Sequence, residues 1–206
     1  SGSNGQLNIN GTVGSRGVVE AHYFEGGGGT HKIDFDGGIF RALGTQNALF
    51  RSFDPGEVTL NAGGGFFDTN GHYVETDADI DGAGGLTKQG ANFLVLTGNN
   101  TYTGVTRVDN GTLRISSGGD ITQTSNILVA SDGVNNATLN IRGVGSTVTT
   151  TGLLEVGANS GTGTLDIEDG GVVNSDAGRL ATITTAVGDA TVTGSGSQWN
   201  ITNALT

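Results

Sequence analysis

A short alternation of apolar and polar residues recurs along this 206-residue chain at a spacing close to 26 residues. Thr138-Leu139-Asn140-Ile141 returns as Thr164-Leu165-Asp166-Ile167, and the same pattern stands upstream at Thr112-Leu113-Arg114-Ile115. Self-similarity at a fixed period is the signature of a solenoid, so this feature constrains the fold more than any other. The first apolar residues of all copies, looser ones included, are Leu7, Ile33, Val58, Leu94, Leu113, Leu139, Leu165 and Ala190.

The alternation predicts β-strands with one buried face, because successive side chains of a strand point to opposite sides of a sheet. Gly, Asn and Asp residues close these strands, as at Asp36-Gly37-Gly38 and Gly170-Gly171, and they tolerate the positive φ angles of tight corners. In an antiparallel meander the matching strand would follow after a short turn, whereas here it returns about 25 residues later. We therefore predict an all-β chain that forms a right-handed parallel β-helix, a β-solenoid of about 8–9 coils.

Stacking of equivalent strands predicts inward columns of aliphatic side chains. The outward residues between them, such as Asn140, are expected to lie in solvent. The interval from Val58 to Leu94 is 36 residues long and leaves two alternatives open, an extra coil centred on Tyr73-Val74-Glu75-Thr76 or a loop. The two predicted columns are Leu94, Leu113, Leu139 and Leu165, and Leu96, Ile115, Ile141 and Ile167.

Charge and cysteine content exclude several classes of function. The chain has 9 basic and 20 acidic residues, a net charge of −11, and its basic residues are scattered singly. Such a surface repels nucleic acid and anionic lipid, so we expect no nucleic-acid partner. No apolar run is long enough for a membrane-spanning helix, and we expect no direct membrane insertion. The absence of Cys excludes a disulfide framework, thiolate catalysis and Cys-ligated zinc.

Residues 82–106, which read GAGGLTKQGANFLVLTGNNTYTGVT, carry a specific motif. This stretch resembles the passenger-associated repeat of autotransporters, the type V secreted proteins of Gram-negative bacteria. Residues 63–72 resemble the segment that often leads into that repeat, and residues 157–165 and 194–199 are similar to further passenger repeats. The resemblance covers roughly residues 57–206, while the first fifty or so match only in general style.

The resemblance implies a right-handed β-helix on the bacterial cell surface or outside the cell, attached through an outer-membrane barrel beyond these residues. We expect residues 1–206 to form a single β-helix fragment of a longer passenger domain. Residues 1–56 would be less regular coils with a candidate loop at 39–55, and residues 57–206 the repeat-bearing coils. The opening Ser1-Gly2-Ser3 reads as a cloning remnant, and Thr206 falls inside a pattern.

Signals for catalysis are weak. No G-x-S-x-G nucleophile elbow occurs, and none of His22, His31 and His72 begins an H-E-x-x-H metal motif. The acid pairs Asp34/Asp36 and Asp166/Glu168 fall on outward strand positions, which favours a regular acidic face over a carboxylate dyad. We predict that the chain is not an enzyme.

One segment has the opening of a calcium loop. Residues 77–82 follow the pattern D-x-D-x-D-G, but the twelfth position, where a calcium loop needs Glu, is Lys88. The alternative is a strand with Val74, Thr76, Ala78 and Ile80 inward and the aspartates in water, and the sequence favours it. We expect neither a metal nor a cofactor.

A segment rich in Phe and Arg supplies the candidate partner-binding residues. Exposed aromatic residues and Arg are typical of binding hot spots. The competing interpretation is that the Phe rings fill a wider coil and the Arg residues pair with nearby acids. Trp199 is expected to be an interior or end residue. The candidates are Phe40, Arg41, Phe50, Arg51 and Phe53.

These observations and the resemblance together predict a non-enzymatic segment of a surface autotransporter adhesin passenger. It would mediate adhesion to host cells or matrix, self-associate, or act as the stalk. The expected partner is a host cell-surface or extracellular-matrix ligand, or a second copy of the chain. Two alternatives remain open, a polysaccharide-binding or carbohydrate-active β-helix protein and a folding scaffold for another domain.

Overall fold

A computed structural model describes residues 4–123, 125–133 and 135–206; the suspected cloning remnant Ser1-Gly2-Ser3 lies outside them. Within this part the chain forms 26 strands and no helix. Consequently, no helix in the described ranges has the length and apolarity to cross a membrane. The all-β prediction is confirmed.

The strands of the first four coils are, in order, β1 (Gly5–Thr12), β2 (Ser15–Arg16), β3 (Val18–Ala21), β4 (Phe24–Glu25), β5 (His31–Asp36), β6 (Ile39–Ala42), β7 (Phe50–Arg51), β8 (Val58–Leu60), β9 (Gly65–Asp68), β10 (Val74–Thr76), β11 (Ile80–Asp81), β12 (Leu86–Gln89) and β13 (Phe93–Leu96). The later strands are β14 (Asn99–Asn100), β15 (Thr106–Val108), β16 (Gly111–Ser116), β17 (Asp120–Gln123), β18 (Ile127–Val129), β19 (Ala137–Arg142), β20 (Thr147–Thr150), β21 (Leu153–Val156), β22 (Thr162–Glu168), β23 (Val172–Ser175), β24 (Ala177–Leu180), β25 (Val187–Thr193) and β26 (Gln198–Ile201).

Each coil contributes a strand to each of three faces. The first face contains β1, β5, β8 and β11, and then β14, β17, β20, β23 and β26; the second runs from β3 through every third strand to β24. The third face contains β4 and β7, and then β10, β13, β16, β19, β22 and β25. Neighbours within each sheet pair in parallel, and β2 adds a short antiparallel pairing to β1. Strand pairing is interrupted between β11 and β14 on the first face and between β7 and β10 on the third. The result is the predicted β-solenoid, with about eight coils.

The apolar series read from the sequence belongs to two faces. Val58 pairs with Ile80 on the first face, while Leu94 lies beside Val74 on the third. Leu7, Ile33 and Val58 therefore form one column, and the copies from Leu94 onward form another. The two columns look alike in sequence because the strands on both faces have the same alternation. The interval from Val58 to Leu94 is not a loop, since it holds the regular strands β9 to β12.

The predicted inward columns are confirmed. Leu113, Leu139 and Leu165 align in register, as do Ile115, Ile141 and Ile167, and all six are 0% exposed. Each buried aliphatic side chain contributes roughly 1.5–3 kcal/mol, and this gain requires the neighbouring coil. Eight coils at about 4.8 Å each form a rod on the order of 40 Å long.

Two of the polar side chains that the sequence placed in solvent are buried, contrary to expectation. Asn140 is 4% exposed because its amide oxygen accepts a hydrogen bond from Arg114 Nε at 2.7 Å and its amide nitrogen donates to Asp166 O. Asp34 is 6% exposed and lies beside Gln6 and Lys32 on the first face. Long side chains from adjacent coils thus cover short polar ones, which an alternation pattern does not reveal.

The corner between the first and second faces needs glycine. A Cβ atom built on Gly104 would lie closer than 3.0 Å to backbone atoms of Gly84 and Gly85 in the coil before it. Backbones of successive coils therefore approach one another too closely here for a side chain. This packing explains part of the unusually high glycine content of 39 residues.

Candidate functional site

The structure separates the five candidate partner-binding residues. Phe40 and Phe50 lie inside the coil, 1% and 2% exposed, and the expectation of exposed aromatic rings does not hold for them. Phe50 stacks on Phe24 of the preceding coil with ring centroids 5.5 Å apart. Within residues 39–55, the candidate loop, these two rings belong to strands β6 and β7. Partner binding by the five candidates stays a prediction.

Arg41 and Arg51 are on the outside but are engaged by neighbours. Arg41 Nε donates to Asp68 Oδ2 at 2.8 Å and Nη1 to Glu20 Oε1 at 3.3 Å. The hydrogen bond that Arg41 donates to the Asp68 carboxylate raises the pKa of Arg41 above its ordinary value. The Arg51 guanidinium lies 3.5 Å from the centroid of the Tyr23 ring, a cation–π contact. Pairing of the Arg residues with nearby groups is thus observed.

Phe53, the fifth candidate, lies at a corner organised by His31. The two rings meet edge-to-face with centroids 4.7 Å apart. His31 Nδ1 is 2.9 Å from Gly29 O, and Nε2 is 2.5 Å from Ser52 O and 3.0 Å from Glu57 Oε2. Because these partners are acceptors, the geometry favours the imidazolium, in which both ring nitrogens donate.

The electrostatics of this corner agree with that geometry. Desolvation lowers the pKa of His31, but the hydrogen bonds to the Ser52 and Gly29 carbonyls and the nearby Glu57 and Asp54 carboxylates outweigh it. The net result is a pKa above the ordinary value of 6.5. The corner therefore favours the protonated form of the His31 ring beside the Glu57 side chain.

A buried lysine is the main feature that sequence reasoning missed. Lys88 stands on the second face in the inward column between Phe67 and Val108, and it is fully buried. Its ammonium donates to Thr69 Oγ1 at 2.9 Å and to a backbone carbonyl of Gly90 at 2.6 Å. The carbonyls of Gln89 and Asn110 lie 2.8 and 3.0 Å away. Burial lowers the pKa of Lys88 to about 7, and the Asp68 carboxylate opposes this effect.

The polar interior continues into the next coils. Tyr102 is fully buried, and its hydroxyl lies 2.8 Å from Thr106 Oγ1, which donates to Gln123 Oε1 at 2.7 Å. Burial raises the pKa of the Tyr102 phenol. The Asn100 amide nitrogen donates to the carbonyls of Gly98 and Asp120. These side chains satisfy one another and the backbone inside the coil, so their role is structural.

The calcium-like segment is not the single predicted strand, because residues 77–79 form a corner between β10 on the third face and β11 on the first; the side chains predicted to point inward are nevertheless buried. Val74, Thr76, Ala78 and Ile80 are all buried. Asp77 is exposed, and Asp79 Oδ1 accepts a hydrogen bond from the Asn99 backbone N–H at 2.7 Å. Across residues 4–123, 125–133 and 135–206, no three side chains of the ligand types His, Cys, Asp and Glu converge on a metal-sized site.

The second acid pair and Trp199 occupy surface and end positions. Burial raises the pKa of Asp166, and Glu168 on the same strand adds to this shift. Trp199 continues the inward column of Val173, is half-buried, and donates from Nε1 to Ser175 Oγ at 3.0 Å. The prediction of an interior or end position for Trp199 is confirmed.

Comparisons with known proteins identify the matched segment. Residues 86–115 match the family model described as passenger-associated-transport-repeat. A protein described as an extracellular serine protease, from Serratia marcescens, is 49% identical over 55 residues, which are 27% of this chain and 5% of that protein. The match thus spans a small fraction of that relative. No solved structure matches significantly.

The matched repeat and the polar interior coincide. Lys88, Asn100, Tyr102 and Thr106 all lie within residues 86–115 and all point into the coil. These residues of the repeat therefore form hydrogen bonds inside the solenoid.

Proposed function

We propose that this chain, which carries autotransporter passenger repeats and is part of a passenger domain, is a non-catalytic segment of a bacterial surface adhesin. Passenger repeats imply a secreted or surface-exposed location. At that location the segment contributes to adhesion to host cells or matrix, or to self-association, and in either case spaces binding surfaces along a rod. Attachment through an outer-membrane domain belongs to the same proposal.

The observation that carries the proposal is the stack of coils. The second face is one parallel sheet from β3 to β24, the first and third faces are each built of two parallel sheets, and the buried apolar side chains form one core cluster along the rod. A rod of this kind holds outward side chains at fixed separations of about 4.8 Å. Many weak contacts along such a surface add up through multivalency on a cell.

The arrangement of titratable groups supports a non-catalytic role. Each ring nitrogen of His31 faces a carbonyl or carboxylate, and no serine hydroxyl hydrogen-bonds this ring within the described residues. Lys88 is enclosed by its four acceptors and does not reach the surface. The protease named among the relatives shares only the short matched stretch with this chain.

A bead assay tests the proposal. Beads coated with the purified chain should adhere to cultured host cells or to matrix proteins, or should clump with one another. Uncoated beads serve as the control for nonspecific sticking. If beads coated with the native chain neither adhere nor clump above that control, the segment acts only as a stalk.

A further inference from the structure

Two adjoining cavities open at the corner between the third and first faces of coils one to three. The larger, about 520 Å³, is lined by side chains of Gln6, Thr30, His31, Lys32 and Glu57, among others. The smaller, about 290 Å³, shares Gln6, His31 and Lys32 and is walled by Phe24 and Phe53. Their sizes are in the range of small-molecule sites, which occupy roughly 300–1,000 Å³.

The polar groups around the larger cavity include both donors and acceptors. The Lys32 ammonium donates and the Glu57 carboxylate accepts. Gln6 Nε2 already donates to Asn8 Oδ1 and Asp34 Oδ2, and the Thr30 hydroxyl to Asn4 Oδ1, so these two side chains offer oxygen acceptors. The His31 ring contacts Glu57 and two backbone carbonyls, so its orientation is fixed without a ligand. Preorganised polar groups of this kind fix the orientation of a bound molecule.

Asp34 contacts two of these polar side chains, Gln6 and Lys32. Its Oδ2 accepts a hydrogen bond from Gln6 Nε2 at 2.6 Å, and its Oδ1 lies 2.9 Å from Lys32 Nζ. Oδ1 is buried and accepts no hydrogen bond of good geometry within the described residues, although the Lys32 charge lies beside it. Asp34 is thus a positioning residue, which holds the two head groups at the cavity.

The aromatic wall gives the site an apolar side. Phe53 packs edge-to-face on His31 and lies 5.8 Å, centroid to centroid, from Phe50, which stacks on Phe24. Phe24 and Phe53 line the smaller cavity only, beside Gln6 and Lys32, which line both cavities. An apolar wall beside mixed donors and acceptors suits a ligand with one apolar face and many hydroxyl groups. A pyranose sugar has both.

We propose that this corner is a binding site for a small uncharged saccharide, contacted by Gln6, Thr30, Lys32, Glu57 and Phe53. The proposal rests on the adhesin function above and names the ligand chemistry of one of its contact sites. Positive and negative side chains are balanced around the cavity, so the site favours neither anions nor cations. The net charge of −11 further disfavours anionic sugars.

Binding of neutral disaccharides to the purified chain tests this proposal. Saturation-transfer NMR with lactose, maltose and cellobiose, each up to about 10 mM, detects weak binding, and titration gives Kd. Sialyllactose is the anionic probe. We expect at least one neutral probe to bind, and Phe53→Ala and Thr30→Ala each to raise its Kd about tenfold.

The matched control is Gln198→Ala. Gln198 is an exposed glutamine on the first face near the other end of the rod, so its loss should leave Kd unchanged, whereas Gln6→Ala should weaken binding. Far-ultraviolet circular dichroism and melting curves confirm that each variant is folded. Absence of binding by every neutral probe, equal binding of sialyllactose, or insensitivity of Kd to the cavity variants overturns the proposal.

The bead assay separates this inference from the proposed function. If coated beads adhere to cells while no neutral sugar binds, adhesion stands and the saccharide site is wrong. If a sugar binds but beads do not adhere, the site stands and the adhesin role is wrong. If both hold, the free sugar should block adhesion through this site, and the Phe53→Ala beads should adhere less.

Discussion

At the scale of single residues, the burial of Lys88 was the feature that the sequence predicted least. The strand Leu86–Gln89 reads Leu-Thr-Lys-Gln, and nothing in that pattern shows that the lysine points inward. Only the pairing with Phe67 and Val108 places it in the core, where carbonyls of two coils surround its ammonium. By contrast, the inward position of Ile141 follows directly from its alternation with Asn140 and Arg142.

Replacement of Lys88 tests the role of its charge. Lys88→Met fills the column but leaves Thr69 Oγ1 and the Gly90 and Asn110 carbonyls without this donor, at a cost of about 1–3 kcal/mol. Since the folded-state pKa is lowered to about 7, native Lys88 loses its proton at a pH where the unfolded chain keeps it. Stability of the native chain therefore rises between about pH 7 and 10 relative to the variant.

Urea unfolding of both proteins at pH 6 and pH 9 measures this difference. We expect Lys88→Met to be more destabilising at pH 9 than at pH 6. Arg179→Met, at an exposed arginine of the same face, is the control. A cost of Lys88→Met that is the same at both pH values contradicts the assignment.

His31 predicts the opposite dependence on pH. Its pKa is raised in the folded state, so the stability that it contributes is complete below the unfolded value of about 6.5 and is lost as pH rises through the folded value. His31→Gln should lower the melting temperature more at pH 5.5 than at pH 8.5. An equal loss at both pH values would mean that the ring does not become charged in this corner.

At the scale of strands and corners, alternation predicted the strands well but did not assign them to faces. Val58-Thr59-Leu60 and Leu94-Val95-Leu96 have the same pattern, yet they lie on different faces. Face assignment depends on the length of the connecting corners, which is set by backbone conformation and is not visible in hydrophobic pattern. Burial of an outward side chain such as Asn140 depends on the length of its neighbours, here Arg114, and the alternation pattern does not show it either.

A charge introduced into the inward column tests the strand assignment. Ile141→Asp places an unpaired carboxylate in an apolar interior and should lower the free energy of unfolding by at least about 3 kcal/mol. Thr138→Asp is the matched control, because Thr138 points outward on the same strand between Thr112 and Thr164. Chemical denaturation measures both, and similar losses would contradict the inward and outward assignment.

The glycine corner predicts a steric effect. Gly104→Ala would place a methyl group against the backbone of Gly84 and Gly85 and should cost about 2 kcal/mol or more. Gly28→Ala is the control, since a Cβ there meets no atom within 4 Å. Melting temperatures of the two variants decide the matter, and a stable Gly104→Ala protein would show that successive coils are less tightly packed.

At the scale of the whole molecule, the solenoid was the most predictable feature, because stacked repeats interact mainly with their neighbours. Leu113, Leu139 and Leu165 are equivalent positions of successive coils. The sites on the surface were less predictable, since the corner cavity combines residues of three coils that lie far apart in sequence.

Removal of one coil tests this modular construction. Deletion of residues 139–164 joins Thr138 to Leu165 in register and should yield a folded rod that is shorter by about 4.8 Å and melts a few degrees lower. Deletion of residues 139–151 removes half a coil, brings unlike faces together and should prevent folding. Circular dichroism and small-angle X-ray scattering compare the two, and a folded half-coil deletion would contradict the register described above.

The polar interior of coils four to six determines which coil stacks on which. Leucine and isoleucine columns are nearly identical from coil to coil, so a chain that skipped one turn would still match them. Lys88, which donates to Asn110 O, and Thr106, which donates to Gln123 Oε1, break that equivalence, because each bond reaches into the next turn. A skipped turn would remove these buried partners from the Lys88 ammonium and the Gln123 amide, and this penalty selects the single correct alignment.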